Sequence, residues 1–259
     1  EDDSDNYLAN RFYHLNYYAV KALLARVYMY AGNVTAAREN AMIVIDAHNQ
    51  QNLFPWGTRE EVVNSTKEIR DRTISSEHIF SLNIRKLNDY IDGFLRNTTS
   101  PLKTRLSMTV LFNGVEDFRS FFFEPNNNAT NVPSKLWQMD PQVINNQTIT
   151  PKRHRMPMIR LTEMYYIVAE CDKNTPQDAV KLLNEILSNR GYASNQLLSA
   201  SVVDNAEKVQ EEILKEYQRE FIAEGQLFYY YKRKDVEKIG NYMPQYVLPK
   251  PVEELEFGL

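Results

Sequence analysis

The block between Leu15 and Ala47 constrains the fold more than any other part of the sequence. Through Leu15-Asn16-Tyr17-Tyr18-Ala19-Val20-Lys21-Ala22-Leu23-Leu24-Ala25-Arg26-Val27-Tyr28-Met29-Tyr30, apolar groups recur at three- and four-residue spacing. Ala is frequent and Gly and Pro are absent, as an amphipathic helix interior requires. Ala31-Gly32-Asn33 stops the pattern, with Gly32 suited to the left-handed residue after a helix. A second helix is expected from about Val34 to Ala47, with Ala37, Ala41, Val44 and Ile45 on one face. The order Leu24-x3-Tyr28-x3-Gly32-x4-Ala37-x3-Ala41 reads as a tetratricopeptide-type hairpin over residues 14–48. Small Ala residues let the two helices approach closely, while Tyr28 fills the gap toward the next pair. A plain αα-hairpin is the simpler alternative.

The same logic returns over Met156–Arg190, where Leu161-x3-Tyr165-x3-Ala169 supplies the first-helix pattern and Gln177–Leu187 the second. Asn174-Thr175-Pro176 caps that second helix, with Pro near its first turn. A further helix is expected over about Ala206–Tyr230, with Val209, Ile213, Tyr217, Phe221 and Phe228 on one stripe. Glycine is scarce, 8 of 259 residues, which argues against turn-rich β architectures and glycine-rich phosphate loops. The fold class expected is therefore mostly α, with tetratricopeptide-like hairpins around a long loop-rich middle.

That middle, residues 50–155, collects Pro55, Pro101, Pro125, Pro133, Pro141 and Pro151 and both tryptophans, Trp56 and Trp137. His78-Ile79-Phe80-Ser81-Leu82-Asn83-Ile84 alternates and reads as one short strand. Long loops on a helical scaffold are where binding function usually sits. The whole of 1–259 is read as one domain, with 156–259 supplying a hairpin, a long helix and an extended tail.

Several chemistries are excluded or weakened. Thirty Lys+Arg against 34 Asp+Glu leave no basic excess, so no nucleic-acid partner is expected. One cysteine, Cys171, rules out an internal disulfide framework or a multi-Cys zinc site and reads as a small buried hydrophobe. His14, His48, His78 and His154 lie far apart with no metal-binding spacing, and the nucleophile-elbow and phosphate-loop motifs are missing, so no cofactor, metal or catalytic set is expected. The acidic pairs Asp89/Asp92 and Glu220/Glu224 serve poorly as a glycosidase couple. Glu220/Glu224 beside Arg219 reads better as structural ion pairing. No run approaches the length of a membrane span and no signal peptide is visible, as in a mature, trimmed or truncated protein.

Five blocks then carry a family resemblance. Tyr17 to Gly32 resembles the central helix hairpin of SusD/RagB-type nutrient-binding lipoproteins. Met158-Ile159-Arg160-Leu161-Thr162-Glu163-Met164-Tyr165-Tyr166-Ile167-Val168-Ala169-Glu170 resembles that family's conserved helix. Glu212-Ile213-Leu214 with Glu216–Gln226 resembles its Glu- and Arg-rich helix, and Tyr246-Val247-Leu248-Pro249-Lys250-Pro251 its closing segment. Asp117-Phe118-Arg119 matches the D-x-R of the intervening region. The family carries a comparable length before the first block, so the chain resembles the C-terminal half to two-thirds of such a protein, or a short relative.

The resemblance implies a cell-surface lipoprotein of the outer membrane, sitting over a SusC-like TonB-dependent transporter and catching oligosaccharides or other nutrients. The membrane would be met only through an N-terminal lipid anchor that is not in this chain. The main alternative is a helical protein–protein interaction scaffold without a small-molecule ligand; a glycoside hydrolase is a third. For glycan binding, aromatic planes stack on the apolar faces of sugar rings while polar groups bond the hydroxyls. Trp56, Tyr90, Phe94 and Trp137 are the expected stacking residues, and Asn88, Asp89 and Arg96 the hydroxyl partners. Tyr28, Ala37, Tyr165 and Ala179 are expected to be buried between helices. Arg160, Glu163, Arg219 and Glu220 are expected to be structural ion pairs, because an unpaired buried charge is costly.

Overall fold

The computed structural model describes residues 10–96, 99–104, 106–126, 129–144, 146–149 and 152–251. The first hairpin is α1 (Tyr17–Tyr30) and α2 (Val34–Gln51). Asn16 caps α1 by accepting from the Ala19 N–H, and Asn33 caps α2 through Ala36. Helix α2 runs one turn beyond the expected end and closes on Asn52 in the left-handed conformation. Ala19, Ala22 and Ala25 of α1 and Ala37 and Ala41 of α2 are fully buried, so the absence of long side chains brings the helices together. Tyr28 is only half-buried, contrary to expectation; Met29 occupies the interior position, and Tyr28 packs from the side.

The loop-rich middle contains short helices α3 (Arg59–Val62), α4 (Leu87–Ile91) and α5 (Met108–Phe112). It holds more strand than expected. Beside β1 (His78–Asn83), two small hairpins form from β2 (Phe123–Asn126) with β3 (Ala129–Pro133), and β4 (Gln142–Ile144) with β5 (Gln147–Ile149). A further correction concerns residues 155–160, which form strand β6 (Arg155–Arg160) rather than the start of a helix. β6 pairs antiparallel with β1, placing Ser81 opposite Pro157 and Leu82 opposite Met156. Pro157 cannot donate to a helical ladder, and the strand pairing satisfies its neighbours instead.

Helix α6 (Leu161–Cys171) is the axis of the molecule: every residue from Leu161 to Glu170 is buried. Its two buried glutamates, Glu163 and Glu170, are paired with Arg26 and Arg233, and α2, α7 (Pro176–Ser188) and α8 (Ala206–Glu220) pack against α6. Tyr165 and Ala179 are fully buried there, as expected. Cys171 is half-buried, its thiol against Met29 Sδ and the Val34 carbonyl, and burial pushes it up to about 11.

The long helix expected to Tyr230 is broken into α8 and α9 (Gln226–Arg233). The break places Gly225 at φ +81 and Ala223 at φ +61, and it turns the Glu224 carboxylate inward. There it joins a buried ionic cluster. Arg119 contacts Asp117 at 2.6 Å, Glu216 at 2.8 Å and Glu220 at 2.9 Å; Arg160 contacts Glu220 at 2.5 Å and Glu224 at 3.0 Å; Arg190 contacts Glu77 at 2.7 Å and Glu220 at 3.1 Å. Lys135 bonds Glu224 and the Glu220 carbonyl. Arg160 and Glu220 are thus paired as expected, and so is Glu163, which holds Arg26 at 2.6 Å. Arg219 is paired too, but with Glu216 at 2.7 Å rather than with Glu220 or Glu224. The guanidiniums of Arg190, Arg160 and Arg119 hold the Glu220 carboxyl well below the usual carboxylate range, against the opposing effect of burial. The tail from Lys234 has no helix; Tyr246 anchors it by donating to the Val236 carbonyl, and residues from 252 onward lie outside the described set. No helix among the described residues is long and apolar enough to cross a membrane.

Candidate functional site

Helix α4 continues into a π-helical turn, Asp92–Arg96, a wide turn often found at functional positions. Leu87 and Leu95 are buried and tie this segment to the body, being 3% and 7% exposed. Tyr90 and Phe94, four residues apart, face solvent at 64% and 62% exposure. Residues at that spacing are neighbours on a helix surface. Asn88 and Asp89 lie on the same segment, and the Asn88 amide donates to Asp89 Oδ1 at 3.0 Å.

Arg96 links this segment to Trp137. It donates to the Gln138 carbonyl at 2.7 Å, and its guanidinium lies 5.9 Å from the centre of the Trp137 ring. Arg72 lies 5.7 Å from the same ring and bonds Ser134, Glu124 and the Lys67 carbonyl; burial lowers its pKa. Trp137 is half-buried under these two cations, and its Nε1 is buried with no acceptor among the described residues. Its position is that of an indole packed by cation–π contacts rather than an open platform.

Trp56 does not share this surface. It sits against the main core, 5.2 Å from the His48 ring and 5.1 Å from the Tyr165 ring, with Arg190 5.6 Å away. A large aromatic just beyond the end of α2 covers more area by closing the core than by facing water. The structure therefore brings Asn88, Asp89, Tyr90, Phe94 and Arg96 onto one segment, joins Trp137 to it through Arg96, and leaves Trp56 apart.

A second concave surface combines parts of the chain that are far apart in sequence. A cavity of about 520 Å³ opens between the turn Arg11–Tyr13, the start of α1, the loop after α2 and the turn Ser75–Glu77. Tyr17 stands edge-on to Tyr18, with ring centres 5.1 Å apart, and Tyr18 edge-on to Phe54 at 5.9 Å. His78 lines the floor. Its Nε2 meets the Thr73 carbonyl at 3.0 Å and its Nδ1 the Ser81 hydroxyl at 2.7 Å, and burial pulls its pKa down to about 4. Asp71 beneath accepts from Ser75 at 2.8 Å and from Lys152 at 2.9 Å, and the Lys152 charge keeps its carboxyl below the ordinary range despite burial. The basic run at 152–155 is therefore engaged rather than merely solvated: Arg155 also lies 4.6 Å from the Phe12 ring.

One sequence signal could have pointed to this cavity. Successive helix positions lie about 100° apart, so Tyr17 and Tyr18 cannot both enter the same core contact. Among the described residues, no group of three His, Cys, Asp or Glu side chains is placed to hold a metal ion.

A family model described as the SusD family matches residues 104–249. Among solved structures, one SusD superfamily protein of Bacteroides thetaiotaomicron shares 25% identity at a TM-score of 0.59, covering 89% of this chain and 53% of its own. Another from the same organism shares 20% identity at a TM-score of 0.62, covering 85% of this chain and 50% of its own. A SusD-like carbohydrate-binding protein of Bacteroides vulgatus shares 17% identity at a TM-score of 0.59, covering 89% of this chain and 48% of its own. The chain spans about half the length of the structures it matches. No curated protein matches it in sequence.

Proposed function

The chain belongs to the SusD family, and from that premise we propose that it is a non-enzymatic carbohydrate-binding protein whose Asn88–Arg96 segment holds an oligosaccharide. The observation that carries this reading is the exposure of both Tyr90 and Phe94, four residues apart, on a segment whose leucines are buried. Such a surface offers two aromatic faces for a sugar's apolar C–H faces without ordering a mobile loop. Asn88, Asp89 and Arg96 stand within the same turns to bond hydroxyls. Trp137 serves by positioning Arg96, and Trp56 serves the core. The carbohydrate-binding description of the Bacteroides vulgatus relative supports the ligand class.

In the same reading the protein works at the outer-membrane surface, held by a lipid anchor, and passes the glycan to a SusC-like TonB-dependent transporter. The rival reading, a helical scaffold that binds only protein, draws on the outer face of α1. There Val20, Leu23, Val27 and Tyr30 are exposed beside a groove of about 640 Å³ floored by Met156, Pro157 and Met158. Binding to immobilised glycans, read by calorimetry for the hits, separates the two. Tyr90→Ala and Phe94→Ala should each weaken binding by about 1 kcal/mol, near fivefold, with an unchanged melting temperature. Glycan binding that survives both replacements would remove this segment from the site.

A further inference from the structure

The cavity beside α1 has features that the Asn88–Arg96 surface lacks. It is concave, and its volume of about 520 Å³ falls within the roughly 300–1,000 Å³ of small-ligand sites. Phe12, Tyr17, Tyr18 and Phe54 supply aromatic walls. Most of its polar groups are already engaged: Asn16 caps α1, Ser75 donates to Asp71, and both His78 nitrogens have partners.

Backbone strain points to the same place. Phe54 and Ile74 both sit at φ +53, a conformation that bulky side chains rarely adopt. Phe54 lines the cavity, and Ile74 leads directly into Ser75 and Ser76. Strained residues of this kind persist where the surroundings over-determine them, and they cluster at ligand sites. Charge then narrows the ligand. Arg11 is the sole formally charged side chain on the lining, since His78 is neutral at ordinary pH, and Arg11 forms no ion pair with any described residue.

We propose that this cavity is a separate carbohydrate subsite that takes a sugar ring bearing a carboxylate, a uronic-acid unit. The ring lies against the aromatic walls and the carboxylate meets Arg11. Guanidinium matches carboxylate bidentately, so the acidic sugar gains an interaction that its neutral counterpart lacks. This inference rests on the reading of the chain as a carbohydrate binder.

The test is calorimetric titration of the whole chain with oligogalacturonates and with neutral galacto-oligosaccharides of the same length. The acidic series should bind at least tenfold more tightly. Arg11→Gln should abolish that preference, and Tyr17→Ala should weaken binding of the acidic series at least fivefold. Arg11 and Tyr17 are exposed, so their variants fold normally, and thermal melts verify it. A preference that survives Arg11→Gln, or binding indifferent to Tyr17→Ala, overturns the proposal. Sugar binding without acidic preference that responds only to Tyr90→Ala and Phe94→Ala overturns the cavity while sparing the carbohydrate reading. Binding of neither series overturns the cavity assignment, and a glycan array then decides the broader reading separately.

Discussion

At the residue scale, Glu220 is the side chain on which most of the buried charge depends. It has no exposed surface and accepts bonds from Arg119, Arg160 and Arg190, which come from three different parts of the chain. Glu220→Gln keeps the shape but removes the charge, leaving buried guanidiniums short of a counter-ion; chemical denaturation should show a loss of about 3–5 kcal/mol. The exposed pair Arg38–Asp172, with Arg38 at 47% side-chain exposure, is the control: Arg38→Ala should cost less than about 1 kcal/mol. A Glu220→Gln loss no larger than the control's would show that the buried guanidiniums do not depend on the Glu220 charge. His78 makes the second prediction. Its folded pKa of about 4 lies below the usual His value of about 6.5, so between those limits the unfolded chain takes up a proton that the native state refuses. Stability should therefore fall as pH drops through that window, by about 3 kcal/mol at its lower end. The neighbouring Asp71, Arg160 and Glu224 set the local field. Glu216 and Glu220, whose pKa values are depressed, add a further loss only below the ordinary carboxylate range. Denaturation midpoints for wild type and His78→Gln across this range check the point: the variant's curve should be flatter between pH 6.5 and 4.

At the element scale, two glycines mark where local preference yields to packing. Gly225 begins α9 at φ +81 with open space where a Cβ would stand, so Gly225→Ala should cost about 1 kcal/mol through backbone conformation alone. Gly57 is different: a Cβ there would lie 2.1 Å from Ile74 Cγ2. Ile74 is itself held at positive φ and cannot easily retreat, so Gly57→Ala should cost more, about 1–3 kcal/mol. Equal losses in paired thermal melts would contradict this ranking. The hairpin α1–α2 was legible because alanine spacing and the glycine stop agree. The α8–α9 break was not, since Tyr217, Phe221 and Phe228 continue a helical period straight across it. What interrupts the helix is the inward turn of Glu224 toward Lys135 and Arg160, partners 89 and 64 residues away.

For the molecule as a whole, one core cluster runs from α1 through α6 and α7 to α8 and Tyr230 of α9, with a smaller one around Val62, Ile74, Phe118 and Phe122. The ionic cluster lies between them, since Arg190 is 5.6 Å from both Trp56 of the first region and Phe118 of the second. Hydrogen exchange should accordingly be slowest in α6, which is buried throughout, and fastest in the α4 segment and the tail after Lys234. Exchange from α6 as fast as from α4 would show that the main core does not unfold as a unit.

Composition and periodicity were enough to establish a mostly helical chain, its two hairpins and the short strand at His78, because these follow from spacing that each segment carries within itself. The pairing of Arg160, Glu163, Arg219 and Glu220 was also readable, since charges inside apolar helices demand partners. Which partners they take was not readable, because Asp117, Glu77 and Lys135 reach the cluster only through tertiary folding. The same limit governs the proposed binding surfaces. Tyr90, Phe94 and Arg96 lie within one segment and could be grouped in advance, whereas Trp56 and Trp137 resemble them in type yet are claimed by the core and by Arg72. The cavity at Tyr17 joins residues 11–18, 53–54 and 75–78, and a concave wall made from three separate segments has no local period by which to announce itself.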